Sequence, residues 1–129
     1  MLFFIDSKIH IARLSCKLYR SAYDSIIRME IIYASGGNEL RITPVGELDE
    51  HASNGARNSI DGAISKGGYR TVILDMSRLS FMDSTGIGVL VGRFKRFGSS
   101  TAFFISSPTQ TVDKLLKLSG MYTIMPKIN

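Results

Sequence analysis

The chain is poor in the residues that usually build cross-links and metal sites. Its 129 residues include one cysteine, two histidines, three prolines and no tryptophan. Because an intrachain disulfide needs two thiols, none can form, and a reducing compartment such as the cytoplasm is expected. Cys16, His10 and His51 lack the spacing of zinc ligands, so the sequence predicts no bound metal.

Long apolar runs are also missing. No run approaches the ~18 residues that a membrane-spanning helix requires. The apolar residues 2–5 are too few for a signal peptide, and Asp6 and Lys8 interrupt them. With 44% hydrophobic and 21% charged residues, the composition is that of one ordinary globular domain with no membrane span.

The net charge of +5 is not arranged as in a nucleic-acid-binding protein. Residues 1–28 contribute +3 of it, and the remaining basic residues are scattered over several predicted elements. Nucleic-acid-binding proteins usually carry a clustered basic stripe. We therefore expect no direct nucleic-acid partner.

No catalytic constellation is evident. Ser84 lacks the Gly-x-Ser-x-Gly environment of a nucleophilic serine, and the two histidines, His10 and His51, form no recognisable motif with a base and its orienting group. The glycine pairs 36–37 and 67–68 are too short for a phosphate-binding loop and indicate turns. The sequence thus predicts a protein that is not an enzyme and has no cofactor.

Turn signals and apolar runs alternate after Met29 as in a compact α/β domain. Pro44 suggests that its strand lies at a sheet edge or ends there, since proline cannot donate to a ladder. The predicted elements are strands at 31–33 and 39–45 with a turn at 36–38, a helix at 51–66, a strand at 71–74, a helix at 84–97, a strand at 101–106, a helix from the capping box at 107–110 to Gly120, and a strand at 122–124. This order predicts a mixed sheet of about five strands with crossover helices.

The predicted helix 84–97 has two distinct sides. Its apolar positions at helical spacing, expected to face the core, are Ile87, Leu90, Val91, Phe94 and Phe97. Ser84, Gly88, Gly92 and Lys95 share one edge beside them. This small-residue edge either packs against the chain's own sheet or admits a partner, and the helical wheel alone leaves both alternatives open.

Ser84 stands where an apolar strand region passes into this helix. One interpretation makes it the N-cap residue, whose hydroxyl accepts a backbone hydrogen bond. The other makes it a phosphorylation site, because the helix N-terminus accommodates negative charge. The two interpretations are compatible.

The segments GELD at 46–49, LSFMDSTGIGVLVGR at 79–93, SSP at 106–108 and LSG at 118–120 resemble the STAS-domain anti-sigma factor antagonists of bacteria. The resemblance covers about residues 29–127 and implies a single STAS domain at 29–129. It implies that Ser84 is phosphorylated and that Asp49 belongs to the partner-binding surface. Thr85, where many members carry a second serine, is a second candidate acceptor. With the small-residue edge, the expected partner-binding residues are Asp49, Asp83, Thr85, Gly88 and Gly92.

In function, the resemblance implies a phosphorylation-controlled binding module. Such a protein binds an anti-sigma factor that is also a serine kinase, and so frees a sigma factor. Phosphate on the serine ends the binding, and a serine phosphatase restores it. The alternative is a STAS adaptor without a switch, in a membrane transport or signalling assembly.

Two parts of the chain depart from this pattern. The final helix usual in the family is expected to be missing. Residues 1–28 match nothing, and they are either sequence upstream of a true start at Met29 or an amphipathic helix. The second alternative rests on a seam of four- and three-residue spacings at Ile5, Ile9, Ala12, Cys16, Tyr19, Tyr23 and Ile26.

Overall fold

The structure is a computed structural model that describes residues 2–6, 9–15 and 29–129, the first two ranges by their strand pairing alone. The strands are β1 (Leu2–Asp6), β2 (Ile9–Ser15), β3 (Met29–Gly36), β4 (Glu39–Leu48), β5 (Thr71–Asp75), β6 (Leu79–Met82) and β7 (Ala102–Ser106). The helices are α1 (Glu50–Gly67), α2 (Ser84–Phe97) and α3 (Gln110–Leu118), followed by a 3₁₀ turn at Met121–Thr123.

The sheet has the order β1-β2-β3-β4-β5-β7, and β6 pairs with β4 beside this path. β3 and β4 form the predicted hairpin, whereas β4 with β5, β4 with β6 and β5 with β7 are parallel. Residues 29–129 thus supply five strands. The predicted α/β class and mixed sheet with crossover helices are confirmed.

The prediction that Pro44 marks an edge or a strand end is wrong. β4 continues to Leu48 and pairs on both sides. Its parallel ladder with β5 ends at Ile42, and the one with β6 begins at Gly46. Pro44 lies between these two ladders, where β4 has no parallel partner, so its missing N–H removes no bond on that side.

The core lies between one sheet face and the helices. Alternate residues of β3 are buried, and α1 contributes a stripe of buried residues at helical spacing, Ala52, Ala56, Ile60 and Ile64. In α2 the fully buried residues are Gly86, Val89, Leu90 and Arg93. Of the five residues predicted to face inward, only Leu90 is fully buried; the other four are half-buried against the core.

A buried ion pair joins α1 to α2. Arg93 Nε lies 2.6 Å from Asp61 Oδ1, and Arg96 Nη1 lies 2.9 Å from Asp61 Oδ2. Burial lowers the pKa of Arg93, and the Asp61 carboxylate opposes that shift. The arginine stays charged because its unperturbed pKa is so high. Since removal of one partner of a buried pair leaves an uncompensated charge, this pair fixes how the two helices pack.

The C-terminal part differs from prediction in two places. The capping box does not form: Thr109 is the N-cap, and its hydroxyl donates to the Leu79 carbonyl at 3.0 Å instead of capping α3. Ser107 takes a positive φ of 53°, outside any helix. The predicted strand at 122–124 is wrong because Met121–Thr123 forms a 3₁₀ turn. In residues 119–129, no α-helix follows α3.

The helical alternative for the N-terminal segment is wrong where the structure describes it. β1 and β2 are antiparallel strands, and β2 pairs with β3 from His10 opposite Ser35 to Ser15 opposite Glu30. The predicted seam positions at Cys16, Tyr19, Tyr23 and Ile26 lie outside the described residues, and the boundary at Met29 stays a prediction. No helix among the described residues is long and apolar enough to cross a bilayer.

Candidate functional site

Two helix N-termini meet at one end of the sheet. Because β4 and β6 are parallel neighbours, with Leu48 opposite Met82, both strands end at the same edge. Each is followed by an aspartate that begins a helix: Asp49 caps α1, and Asp83 caps α2. The Asp83 N–H donates to the Leu48 carbonyl at 3.4 Å, which ties the second cap to the first strand.

Both aspartates are bound by backbone donors of their own helices. Asp49 Oδ1 accepts from the N–H groups of His51 (3.0 Å) and Ala52 (3.1 Å). Asp83 Oδ1 accepts from those of Thr85 (3.0 Å) and Gly86 (3.2 Å). These bonds satisfy donors that a helix leaves unpaired in its first turn. Asp49 and Asp83 are therefore part of the scaffold of the site as well as of its surface.

The Thr85 hydroxyl donates to Asp83 Oδ1 at 2.5 Å, and this bond is the main reason that the pKa of Asp83 is lowered. Burial of the carboxyl opposes the shift, while the backbone N–H groups of Gly86, Thr85 and Glu50 add to it. Asp83 is consequently a carboxylate at neutral pH. The contribution from Glu50, the first residue of α1, shows how close the two helix ends lie.

Ser84 is the first residue of α2, and the prediction that it is the N-cap is wrong because Asp83 takes that place. Its side chain is exposed and has no hydrogen bond among the described residues. Thr85 is exposed too, but its hydroxyl is engaged by Asp83. Of the two adjacent hydroxyls, only that of Ser84 makes no hydrogen bond among the described residues.

Gly86 permits the close approach of α2 to the strand ends, and this role was not predicted from the sequence. A Cβ at Gly86 would lie 2.9 Å from the Leu48 carbonyl oxygen and would overlap the Met82 side chain. Only glycine lets the first turn of α2 approach the ends of β4 and β6 so closely. The sequence contains one indication of this role. Gly86 lies two residues after Ser84 in the first turn of a predicted helix, where glycine lowers helix stability and is therefore expected only if the packing requires it.

Gly88 and Gly92 continue from Ser84 along α2. Within the part of the chain that the structure describes, a Cβ at either position would meet no atom within 4 Å outside the helix itself, and Gly88 is exposed. The alternative in which this edge packs against the chain's own sheet is therefore wrong. We call Ser84, Gly88, Gly92 and Lys95 the open edge of α2.

The end of the sheet is acidic although the chain as a whole is basic. Residues 46–52 and 79–88 include four carboxylates, those of Glu47, Asp49, Glu50 and Asp83, and neither lysine nor arginine. Within residues 29–129, no three His, Cys, Asp or Glu side chains are grouped as a metal site requires. Asp49, Asp83, Ser84 and Thr85 lie together at this acidic end, and the open edge leads away from it.

The sequence and the fold of this chain match those of known proteins. A family model described as the STAS domain matches residues 31–129. The anti-sigma F factor antagonist of Paenibacillus polymyxa is 38% identical over 85 residues, which cover 63% of this chain and 70% of the relative. The chain therefore belongs to the STAS domain family.

Solved structures show the same fold. The anti-sigma factor antagonist SpoIIAA in its unphosphorylated form superposes with a TM-score of 0.66 at 32% identity, over 77% of this chain and 88% of SpoIIAA. The Bacillus cell fate determinant SpoIIAA in the phosphorylated form has a TM-score of 0.55 at 33% identity, over 71% of this chain and 84% of SpoIIAA.

Proposed function

We propose that this protein is an anti-sigma factor antagonist that is controlled by phosphorylation of Ser84. In the unphosphorylated state it binds an anti-sigma factor with serine kinase activity, and this binding frees the sigma factor. Phosphate on Ser84 ends the binding, and a serine phosphatase removes it. The protein acts as a binding module in the cytoplasm and catalyses no reaction itself.

The free Ser84 hydroxyl carries this proposal. It is exposed at the start of α2, while the Thr85 hydroxyl is held by Asp83. The comparisons support the same function, because the Paenibacillus relative is named as an antagonist of an anti-sigma factor and SpoIIAA has been solved in both phosphorylation states.

The acidic surroundings explain how a phosphate on Ser84 would act. The N–H groups of Thr85 and Gly86 are already bound by Asp83, so a phosphate at Ser84 adds its charge of about −1.5 to −2 beside an existing carboxylate. At about 4 Å, two unit charges repel by ~1 kcal/mol in water but by ~4 kcal/mol at an effective dielectric constant near 20, and the phosphate carries more than one unit. The repulsion therefore grows by about 3 kcal/mol when a partner excludes water. This corresponds to roughly a hundredfold weaker binding.

The phosphate transfer itself is tested by incubating the purified protein with ATP and the anti-sigma factor encoded in the same genome. Mass spectrometry should locate one phosphate on Ser84. Ser84→Ala should accept none, whereas Thr85→Val, which keeps the Ser84 hydroxyl, should still accept one phosphate on Ser84. Phosphate on Thr85 of the wild type, or modification of Ser84→Ala at the wild-type rate, would contradict the proposal.

The same experiment separates the proposed switch from a STAS adaptor without one. An adaptor in a membrane transport or signalling assembly has no need to bind an anti-sigma factor or to accept its phosphate. Absence of both binding and transfer with the wild-type protein would overturn the proposed function and favour the adaptor.

A further inference from the structure

Phe81 is an exposed aromatic side chain with no evident structural task. It is 42% exposed, although phenylalanine is normally buried, and it does not belong to the hydrophobic core or to the residues packed against it. Among the described residues, only Leu118 and Ile128 are other large apolar side chains with such exposure. Large aromatic side chains are enriched among the residues that dominate the affinity of protein interfaces, so the position of Phe81 decides whether its exposure has a function.

The location of Phe81 connects it to the acidic end of the sheet. It lies in β6, opposite Glu47 of β4, and three residues before Ser84. Three residues of chain span at most about 11 Å, so the phenyl ring and the Ser84 hydroxyl fit within one protein-sized contact. The preceding residue, Ser80, donates a hydrogen bond of 2.9 Å to the Gly46 carbonyl, which fixes the strand that carries the ring.

We infer that Phe81 is the apolar anchor by which this protein holds its anti-sigma partner, whose surface offers an apolar pocket for the ring. The inference rests on the proposed function and extends the interface from the open edge of α2 to β6. Acidic and small residues alone supply little apolar contact, whereas buried aromatic side chains dominate the affinity of protein interfaces. Glu47, opposite Phe81 in β4, and Asp83, two residues after it in sequence, then supply charged groups for the polar rim of the contact.

The test measures affinity for the anti-sigma factor encoded in the same genome by isothermal titration. Phe81→Thr removes the ring but keeps a residue suited to a strand. Leu118→Ser is the matched control, since Leu118 is an exposed apolar residue as well, with 86% exposure. The start of α3 contacts β6 through the bond from Thr109 to Leu79, and Leu118 lies nine residues further on, about 13 Å along the helix. We expect Phe81→Thr to bind at least tenfold more weakly and Leu118→Ser to bind as the wild type does.

Unchanged affinity of Phe81→Thr would overturn the anchor while leaving the proposed function intact. Failure of the wild type to bind would overturn both.

A second measurement covers the case in which Phe81→Thr unfolds. The photo-reactive residue p-benzoylphenylalanine replaces Phe81, or Leu118 as the control, and the complex with the anti-sigma factor is irradiated. We expect a cross-link from position 81 to apolar residues of the partner and none from position 118. No cross-link from position 81, or one to charged residues alone, would contradict the inference.

Discussion

At the scale of single residues, Asp83 determines which neighbouring hydroxyl is available. Its carboxylate binds the Thr85 hydroxyl and two backbone N–H groups, and Ser84 is left exposed. Gly86 makes this geometry accessible, because any larger residue would meet the Leu48 carbonyl and Met82. Gly88, only two residues further on, meets nothing. Two glycines of one helix therefore have different physical roles.

Alanine substitutions at these two glycines should have opposite effects on stability. Gly88→Ala should raise the free energy of unfolding by up to about 1 kcal/mol, since alanine is the better helix former. Gly86→Ala should lower it by about 1–3 kcal/mol despite the same gain in propensity, because the added methyl group overpacks the end of β4. Urea denaturation of both variants provides the measurement. Equal effects at the two positions would show that Gly86 is not sterically required.

At the scale of the elements, sequence periodicity identified the three helices and four of the five strands within residues 29–129, but it missed β1, β2 and β6 and predicted a strand at 122–124 where a 3₁₀ turn forms. The limits of α2 and the stripe of α1 were predictable because they depend on local spacing. β6 was not predicted, because it has only four residues and its buried ends, Leu79 and Met82, flank two exposed residues, so it shows neither alternation nor a continuous apolar run. The capping box at 107–110 gave the wrong start for α3 because the Thr109 hydroxyl bonds to Leu79 instead.

The candidate site was predicted in its residues but not in its geometry. Sequence and resemblance indicated Asp49, Asp83 and Ser84, but the meeting of two capped helix ends follows from the parallel pairing of β4 with β6. The sequence also could not decide whether Gly88 and Gly92 face the sheet, because a helical wheel gives the side of a helix and not its neighbours.

The open edge of α2 predicts that Gly92→Gln affects binding more than folding. Glutamine improves helix propensity by roughly 1 kcal/mol or less, and no neighbouring atom would clash with its Cβ. We expect an unchanged or higher melting temperature together with at least tenfold weaker binding to the anti-sigma factor. A clear loss of stability would place Gly92 against the sheet, and unchanged binding would remove it from the interface.

Asp113 links α3 to the C-terminal segment that contains Tyr122 and Lys127. It accepts a 2.5 Å hydrogen bond from the Tyr122 hydroxyl, and Lys127 and Lys117 lie at 3.1 and 3.2 Å. The Tyr122 bond is the main reason that the pKa of Asp113 falls from 3.8 to about 2, with smaller contributions from the lysines. Burial and the Asp113 carboxylate in turn raise the pKa of Tyr122.

The stability that Asp113 contributes should depend on pH in the acid range. Because its pKa is lower in the folded than in the unfolded protein, the contribution is complete above about pH 4 and is lost as pH falls towards 2. Asp113→Asn should therefore lower the melting temperature at pH 7 and lose this difference near pH 2. Lys114→Gln on the same helix is the control. A difference in melting temperature that is the same at pH 7 and pH 2 would contradict this account.

At the scale of the whole molecule, residues 29–129 contain five strands and three helices that enclose a hydrophobic core. The STAS match begins at residue 31, and the hydrophobic core found in the described residues lies between Met29 and Met125. β1 and β2 extend the sheet beyond β3 and make no part of the acidic end, which is formed by β4, β6 and the helices that follow them.

A chain beginning at Met29 should therefore fold and bind as the full chain does. We expect its melting temperature to stay within a few degrees and its affinity for the anti-sigma factor to stay within about threefold, since no binding residue is removed. Circular dichroism and isothermal titration check both. Insolubility, or binding at least tenfold weaker, would show that residues 1–28 belong to the working protein.

We propose that the charge state of Ser84 controls partner binding at the acidic end of the molecule. The most direct measurement is the dissociation constant of the anti-sigma factor complex, determined by isothermal titration with unphosphorylated and with fully Ser84-phosphorylated protein at the same ionic strength. We predict that the phosphorylated form binds at least about a hundredfold more weakly, as the repulsion near Asp83 requires. Equal dissociation constants for the two forms would contradict the account.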